Sequence, residues 1–211
     1  MISVEEMKKT DEHAQTVLGI PALILMETAG ANAARIMHER FNLEEKNVTV
    51  FCGTGNNGGD GLVFARHAAK YGASVSIVMV KPEKYIRTSE SKTNYNIARN
   101  LGINVYVGNV PESLLNTDIA IDAMLGIGIL DDVKEPYAGM IDIFNKLNCT
   151  KVSLDCPSGI NADTGRICKT AVKPDITITF HEIKKGLNQS NCGEIVVTDI
   201  GINKEAGKIG D

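Results

Sequence analysis

The stretch 48–66, VTVFCGTGNNGGDGLVFAR, constrains the fold of this chain more than any other part of the sequence. Val48–Cys52 is a short apolar run with β-branched residues, which predicts a buried strand. Gly53–Gly61 follows with five glycines and two asparagines, a composition typical of a loop with unusual backbone angles. From Leu62 onward, apolar residues recur at helical spacing. The stretch therefore predicts a strand, a glycine-rich turn and a helix.

This glycine-rich turn indicates an anion-binding site. Glycine permits positive φ angles and lets a ligand approach the main chain, and the N–H groups and dipole of the following helix favour a phosphate. Gly53, Gly55 and Gly58 have the G-x-G-x-x-G spacing, although asparagines and an aspartate replace the usual small or apolar residues. No Lys-Ser or Lys-Thr pair follows, so the turn is not a P-loop. A phosphate-bearing ligand is the favoured interpretation, and a turn that serves packing alone is the alternative.

Length and composition are typical of one globular domain, which we expect to span residues 1–211. The net charge is −4, aromatic residues make up 5% of the chain and tryptophan is absent, so nucleic acid is not an expected partner. The N-terminus, MISVEEMKKTDE, is too polar for a signal peptide, and no apolar run has the length of a membrane span. We therefore expect a cytoplasmic protein with no membrane partner.

The remaining reactive side chains give weaker signals. Five cysteines are scattered without a C-x-x-C pair, so the sequence predicts neither a disulfide framework nor a zinc site. Most are expected to be small buried residues, and Cys156 stands out because it follows Asp155 in a polar motif. Lys184 and Lys185 are expected to face solvent.

Apolar runs alternate with helical patterns along the rest of the chain. Two helices are predicted before the first strand, from about Ser3 to Leu18 and from Pro21 to about Phe41, where they would cover the sheet or build a dimer contact. The alternation predicts an α/β fold with a mostly parallel sheet and helices on both faces. The predicted strands are Val48–Cys52, Ser74–Val80, Asn104–Val107, Asp118–Asp122, Lys151–Asp155, Asp175–Phe180 and Glu194–Thr198.

Polar loops follow three of these strands, and ligands of parallel α/β sheets bind beyond the carboxyl ends of the strands. Asp155 ends a strand and precedes a loop, so its carboxyl group is a candidate general acid or base, with a turn or cap role as the alternative. Asp60 is either a ligand residue or a helix cap. Asn57, Asp122 and Ser158 offer hard oxygen ligands on three loops, which Mg²⁺, Ca²⁺ or an alkali ion requires.

Five motifs, in order along the chain, resemble those of the NAD(P)H-hydrate epimerase family, the YjeF N-terminal domain. The resemblance covers nearly the whole chain, and five motifs in the same order are far more specific than any one of them. The motifs are LMETAG (25–30), GTGNNGGDGLVFAR (53–66), DAMLGIG (122–128), SLDCPSGINADTG (153–165) and TITFHEIKKGL (177–187).

The resemblance implies a three-layer αβα, Rossmann-like domain that is often a homodimer. It implies an enzyme that interconverts the R and S forms of hydrated NADH and NADPH, so that a separate ADP- or ATP-dependent dehydratase can restore the cofactor. Members of the family are often fused to that dehydratase. Retention of Asp155, Asn57 and Asp122 favours the enzyme over a non-catalytic nucleotide-binding or scaffold module of the same fold.

The resemblance also implies site residues, and this sequence departs from the family's motifs at two of the positions compared. Thr28 stands where the family's helix motif commonly has asparagine, and Ile127 stands where a threonine is common. The implied catalytic residue is Asp155, which also contacts the substrate, and the implied ligands of a potassium ion are Asn57, Asp122 and Ser158. The implied substrate-binding residues are Asn56, Asn57, Gly58, Gly59, Asp60, Gly126, Ile127, Gly128, Ile129, Leu130, Asp131 and Asp132.

Two alternatives concern the chemistry: a different class of enzyme, and two routes for the same reaction. An NAD-dependent dehydrogenase is the alternative enzyme class. Such an enzyme holds the ribose with an acidic residue at the end of the second strand, whereas the second strand here ends Val78-Met79-Val80-Lys81 and has none there. The hydrated nicotinamide ring is a carbinolamine, so Asp155 would either protonate a departing hydroxyl group and then activate water, or deprotonate the hydroxyl group for ring opening.

Overall fold

The computed structural model of the protein describes residues 1–202, which contain a seven-stranded parallel sheet. The strand order is β3-β2-β1-β4-β5-β6-β7, and every pair of neighbours is parallel. The strands are β1 (Asn47–Cys52), β2 (Ser74–Met79), β3 (Asn104–Val107), β4 (Ile119–Ala123), β5 (Thr150–Leu154), β6 (Ile176–Phe180) and β7 (Glu194–Thr198). The predicted α/β class is confirmed, and each predicted strand lies within one or two residues of an observed one.

Helices flank the sheet, and two of them precede the first strand, as predicted. Within residues 1–202 the α-helices are α1 (Val4–Thr16), α2 (Ala22–Phe41), α3 (Asn56–Lys70), α4 (Ser89–Asn100), α5 (Tyr137–Lys146) and the single turn α6 (Gln189–Cys192). Short 3₁₀ turns occur at Glu83–Tyr85 and Glu112–Leu114. Among the described residues, no helix is both long and apolar enough to cross a bilayer.

The direction of winding fixes where a ligand can enter. The chain runs from β1 outward to β2 and β3, then returns to place β4 on the other side of β1 and continues outward to β7. The loops after β1 and β4 therefore leave the sheet in opposite directions and open a crevice between their carboxyl ends. The motifs after β1, β4 and β5 all lie at this edge.

The glycine-rich segment differs from the prediction. Helix α3 begins at Asn56, so most of the predicted turn is the first part of the helix. Among residues 53–61, none of the five glycines has a positive φ angle, so the expectation of left-handed backbone there is wrong. These glycines instead allow close contacts: a Cβ at Gly58 would lie 2.1 Å from the carbonyl oxygen of Gly53, and one at Gly61 would lie 2.5 Å from Cβ of Ala123.

Helix α2 packs against α3, and the residues before α1 are hydrogen-bonded to the segment that carries Lys184. Ser3 caps α1 in a capping box with Glu6. Gly30 of α2 brings that helix close to α3, since a Cβ there would lie 2.6 Å from the carbonyl oxygen of Asp60. Ahead of α1, Ile2 forms a parallel bridge with Lys184, in which the Ile2 N–H donates to the carbonyl oxygen of Ile183 at 2.9 Å.

The cysteines are small buried residues with one partial exception. Cys149 is half-buried, and the four others are buried. Cys156 is completely buried, and burial raises the pKa of its thiol well above the ordinary value. A thiol in that state is a packing group rather than a nucleophile. The four buried cysteines are Cys52, Cys156, Cys168 and Cys192.

Candidate functional site

A cavity of about 690 Å³ opens at the carboxyl ends of the central strands. Its walls come from α1, the first turns of α2 and α3, the loop after β4, and Asp155 after β5. A hollow of about 840 Å³ lies elsewhere, and its lining residues, all between 142 and 193, include none of the predicted site residues. The smaller cavity is the candidate site because the polar loops of three strands converge on it.

The predicted substrate-binding residues fall into two groups. Eight of them line the cavity, counting Asp155, whereas Gly58 and Gly59 are packed inside and Leu130, Asp131 and Asp132 are exposed beyond it. The carbonyl oxygen of Leu130 accepts a hydrogen bond from Arg166 at 2.8 Å, and Asp132 lies 4.0 Å from the same guanidinium group. The eight lining residues are Asn56, Asn57, Asp60, Gly126, Ile127, Gly128, Ile129 and Asp155.

The start of α3 gives the cavity an anion-binding end. Gly55 is the N-cap residue and supplies no side-chain cap, so the N–H groups of the first turn have no side-chain partner at the cap. Arg87, which the sequence did not single out, adds a positive charge beside this turn. Its backbone N–H donates to the carbonyl oxygen of Thr54 at 2.9 Å, and its guanidinium group reaches Gly55 and lines the cavity. Helix dipole and guanidinium together favour a phosphate.

Asp155 lies in a tight turn that directs the chain out of the sheet. Its φ angle is +63°, and the N–H of Cys156 donates to the carbonyl oxygen of Leu154 at 2.8 Å, which closes a γ-turn around the aspartate. The N–H of Phe180 donates to Oδ1 of Asp155 at 3.3 Å. The carboxyl group is thus held at the cavity wall by the backbone of β5 and β6.

Lys184 is the residue that the sequence misjudged most clearly. Its side chain is 0% exposed, and its ammonium group donates hydrogen bonds to Oδ1 of Asp155, to Oγ1 of Thr179 at 3.1 Å and to the carbonyl oxygen of Phe180 at 2.9 Å. The expectation that it faces solvent is therefore wrong, whereas the side chain of Lys185 is 50% exposed. Three partners satisfy the three ammonium protons, so Lys184 is a buried counter-ion for Asp155.

Two further carboxyl groups line the cavity. Asp60 is the fifth residue of α3, so the alternative of a helix cap is wrong for it. Burial, followed by the charges of Asp155 and Asp11, raises the pKa of Asp60 well above its ordinary value. Asp11 of α1 lines the same cavity, and burial together with the charge of Asp155 raises its pKa to about 6, against the opposing effect of Lys184.

The spacing of residues on α1 indicates the position of Asp11. Met7, Asp11 and Gln15 recur at intervals of four on α1 and line the cavity together. An aspartate that shares a helix face with a buried methionine is unusual on a helix that only covers a sheet.

Asn57, Asp122 and Ser158 converge, as expected for a cation site. Ser158 donates from its backbone N–H to Oδ2 of Asp122 at 2.8 Å, and the Nδ2 group of Asn57 donates to the carbonyl oxygen of Leu125 at 2.8 Å. Asp122 and Ser158 are 0% exposed, and burial raises the pKa of Asp122. Within residues 1–202, Oδ1 of Asn57 is a buried acceptor without a hydrogen-bond partner. Hydrogen bonds through Leu125 connect Asn57 to Ser158 and Asp122, and this orphaned oxygen, with that hydroxyl and carboxylate, offers the oxygen donors that fit a hard cation.

Comparisons with known proteins agree with this geometry. The family model described as YjeF-related protein N-terminus matches residues 22–186. A Cenarchaeum symbiosum protein named NAD(P)H-hydrate epimerase is 39% identical over 98% of each chain. A Pyrobaculum aerophilum protein named bifunctional NAD(P)H-hydrate repair enzyme Nnr is 38% identical, over 95% of this chain and 42% of that protein. The crystal structure of the yeast protein ynu0 has the same fold, with a TM-score of 0.80 and 24% identity over 94% of this chain and 86% of that chain.

Proposed function

Since the chain belongs to the family of YjeF-related protein N-termini, we propose that it is an epimerase that interconverts the R and S forms of hydrated NADH and NADPH. The observation that carries the proposal is one cavity with a phosphate-binding helix start at one end and a strand-end carboxyl group, Asp155, in its wall. The helix start suits the phosphates of the nucleotide, and the Asp155 carboxyl group suits acid–base chemistry on the nicotinamide ring.

The two ends of the cavity have different roles: one binds the pyrophosphate, and the other holds the ring that reacts. The pyrophosphate of the substrate would lie at Asn56 and Asn57, near Arg87, where N–H groups and positive charge meet. The hydrated ring would lie beside Asp155, which manages a proton at the C6 hydroxyl group. Loss of that hydroxyl group, driven by the ring nitrogen lone pair, and ring opening after its deprotonation each need one such carboxyl group.

A potassium ion is part of the proposal. Its ligands would be Oδ1 of Asn57, the Asp122 carboxylate and the Ser158 hydroxyl group, which come from the first turn of α3, the end of β4 and the loop after β5. When bound, the ion supplies positive charge that neutralises the buried carboxylate and joins these three segments. The side chains that hold it then keep Asn56, Gly126 and Asp155 in fixed relative positions around the substrate.

The proposal includes a homodimer and a partner enzyme. Four exposed apolar side chains surround the connection between α1 and α2, which suits a contact with a second copy of the chain. The relative named as bifunctional favours an ADP- or ATP-dependent NAD(P)H-hydrate dehydratase as the functional partner. We place the reaction in the cytoplasm. The four apolar residues are Val17, Leu18, Leu23 and Ile24.

The proposal is tested with the two epimers of hydrated NADH and of hydrated NADPH. Each separated epimer is incubated with the protein, and the ratio of epimers is followed by chromatography against the spontaneous background. We expect the ratio to reach equilibrium faster with protein than without it, for at least one of the two cofactors. If both cofactors remain at background while NADP⁺ still binds in calorimetry, the chain is a nucleotide-binding module and the epimerase proposal fails.

A further inference from the structure

The cavity contains a second carboxyl group that is placed for proton transfer, on a helix outside the sheet. We propose that Asp11 of α1 is a catalytic residue that works with Asp155, one carboxyl group donating a proton while the other accepts one. This inference rests on the proposed epimerase function. Asp11 lies outside all five motifs that carry the family resemblance, which begin at residue 25.

The placement of Asp11 is fixed by the packing of α1. Met7, one turn earlier, is buried in the core, so the face that carries Asp11 is turned toward the cavity. The helix start is held by a hydrogen bond from the Val4 N–H to Oδ1 of Asp163 at 2.8 Å. Ile2, two residues before Val4, bridges to Lys184, whose ammonium group contacts Asp155. The segment that carries Asp11 is thereby attached to the segment that carries the partner of Asp155.

The charges around Asp11 favour a shared proton. The cavity is lined by Lys8 and Asp11 of α1, Asp60 of α3, Arg87, Glu90 of α4 and Asp155, and the buried Lys184 lies behind Asp155. Lys184 forms its ion pair with Asp155. Asp11 and Asp60 are both under the influence of the Asp155 charge, and neither forms such an ion pair with Lys184. Burial and the charge of Asp155 raise the pKa of Asp11 to about 6, so its carboxyl group exchanges a proton near neutral pH.

The polar lining of the cavity indicates a ligand rather than a packing defect. Asn57 lines the cavity and is only 7% exposed, and within the described part of the chain its Oδ1 has no hydrogen-bond partner. Asp11 is only partly buried, and within residues 1–202 no donor contacts its carboxylate, so that group is accessible to a ligand in the cavity. Buried polar groups without partners are costly, and they are retained where a ligand completes them.

Two carboxyl groups on different elements can together invert the configuration at C6. In one direction, a proton passes from Asp11 to the hydroxyl oxygen, the C6–O bond breaks with its electron pair on oxygen to give water, and the ring nitrogen lone pair forms a C=N bond. Water then adds to the other face of the ring: its oxygen bonds to C6, the C=N π electrons return to nitrogen, and a proton passes to Asp155. Proton exchange between the two carboxyl groups restores the starting state, and the reverse conversion uses them in opposite roles.

The test compares Asp11→Asn with Glu12→Gln, which removes an exposed carboxyl group from the adjacent position of the same helix. Epimerisation is measured from pH 5 to 8, with the spontaneous rate subtracted at each pH. We expect the parent rate to fall as the pH rises through about 6, because Asp11 must hold a proton. Asp11→Asn should lower the rate by about 10²-fold and abolish that fall, Asp11→Glu should restore part of both, and Glu12→Gln should behave as the parent.

The outcomes separate this inference from the proposed function. A parent that exceeds background while Asp11→Asn keeps the parent's rate and pH profile overturns the role of Asp11 alone. A parent that remains at background with both hydrated cofactors overturns the epimerase function and the role of Asp11 with it. If Asp11→Asn does not fold, the pH profile of the parent and the rate of Asp11→Glu test the inference instead. A parent rate that does not change between pH 5 and 8 overturns the inference.

Discussion

Lys184 donates a hydrogen bond to Oδ1 of Asp155 from a side chain that is 0% exposed, while the Asp155 side chain is 14% exposed to the cavity. One partner of the ion pair is therefore buried and the other reaches the substrate. Removing one member of a buried pair leaves an uncompensated charge, which is more costly than the pair itself is stabilising.

Lys184→Met should lower the free energy of unfolding by about 3 to 5 kcal/mol, because it leaves the Asp155 carboxylate without its buried counter-ion. Lys185→Met is the matched control, since Lys185 forms an exposed ion pair with Glu6 that contributes about 0 to 1 kcal/mol. Urea denaturation measures both. Equal effects of the two substitutions would contradict the assignment of Lys184 as the buried partner.

Asp155→Asn should lower the rate of epimerisation by about 10²-fold or more in the protein that remains folded, and it should also lower stability, because the buried Lys184 ammonium group loses its counter-ion. The amide keeps the size of the side chain but cannot exchange a proton. The measurement is the conversion of R to S epimer by the folded variant against the spontaneous background. A variant with the parent's rate would make Asp155 a structural residue.

Gly58→Ala should destabilise the protein by about 3 kcal/mol or more, because the added Cβ would lie 2.1 Å from the carbonyl oxygen of Gly53, a backbone atom. Gly128→Ala is the control: no atom lies within 4 Å of its added Cβ, so its effect should stay within about 0.5 kcal/mol. Thermal unfolding compares the two. A stable Gly58→Ala that has lost only nucleotide affinity would return this glycine to a direct binding role.

Replacing potassium by lithium in the buffer should lower the melting temperature of the parent, because the smaller ion fits the Asn57, Asp122 and Ser158 oxygens poorly. Asn57→Ala should remove most of this difference, since it deletes the unpartnered Oδ1. A crystal soaked in rubidium gives an independent measurement. Absence of anomalous density near Asp122 would count against the site.

Asp11→Asn should stabilise the protein at pH 7.5 by about 1 to 3 kcal/mol and leave stability at pH 3.5 unchanged. At pH 3.5 the carboxyl group is protonated in the folded chain and mostly protonated in the unfolded chain. The unfolded chain ionises near the ordinary value of 3.8, whereas the folded chain resists ionisation until about pH 6, so the cost of Asp11 is complete only above pH 6. Urea denaturation at both pH values checks this, and a loss of stability at pH 7.5 would contradict it.

The sequence predicted the sheet because every strand is an apolar run between polar turns. It also placed Asp155, Asn57, Asp122 and Ser158 at strand ends, and the structure brings all four to one edge of the sheet. The start of α3 was missed because a glycine that serves close packing and a glycine with positive φ look the same in a sequence.

The burial of Lys184 was missed for a different reason. Lysine in a polar loop is usually exposed, and only the turn after β6 brings its ammonium group back to Asp155 and Thr179. Asp11 and Arg87 lie far from the central motif along the chain, and the packing of separate elements places them in the cavity. The position of Arg87 depends on tertiary contacts that no local pattern encodes, whereas the spacing of Met7, Asp11 and Gln15 is the local pattern that indicates the face of α1 turned toward the cavity.

The γ-turn at Asp155 restricts the choice of amino acids for mutagenesis. A φ angle of +63° is accessible to glycine and, among side chains, most readily to asparagine and aspartate, whereas β-branched residues are strongly disfavoured there. An inactive Asp155→Val would therefore confuse backbone strain with lost chemistry. In a saturation library at this position, every neutral residue leaves the Lys184 ammonium group without its counter-ion, and β-branched residues add backbone strain to that cost, so asparagine and glycine should express better than valine or isoleucine.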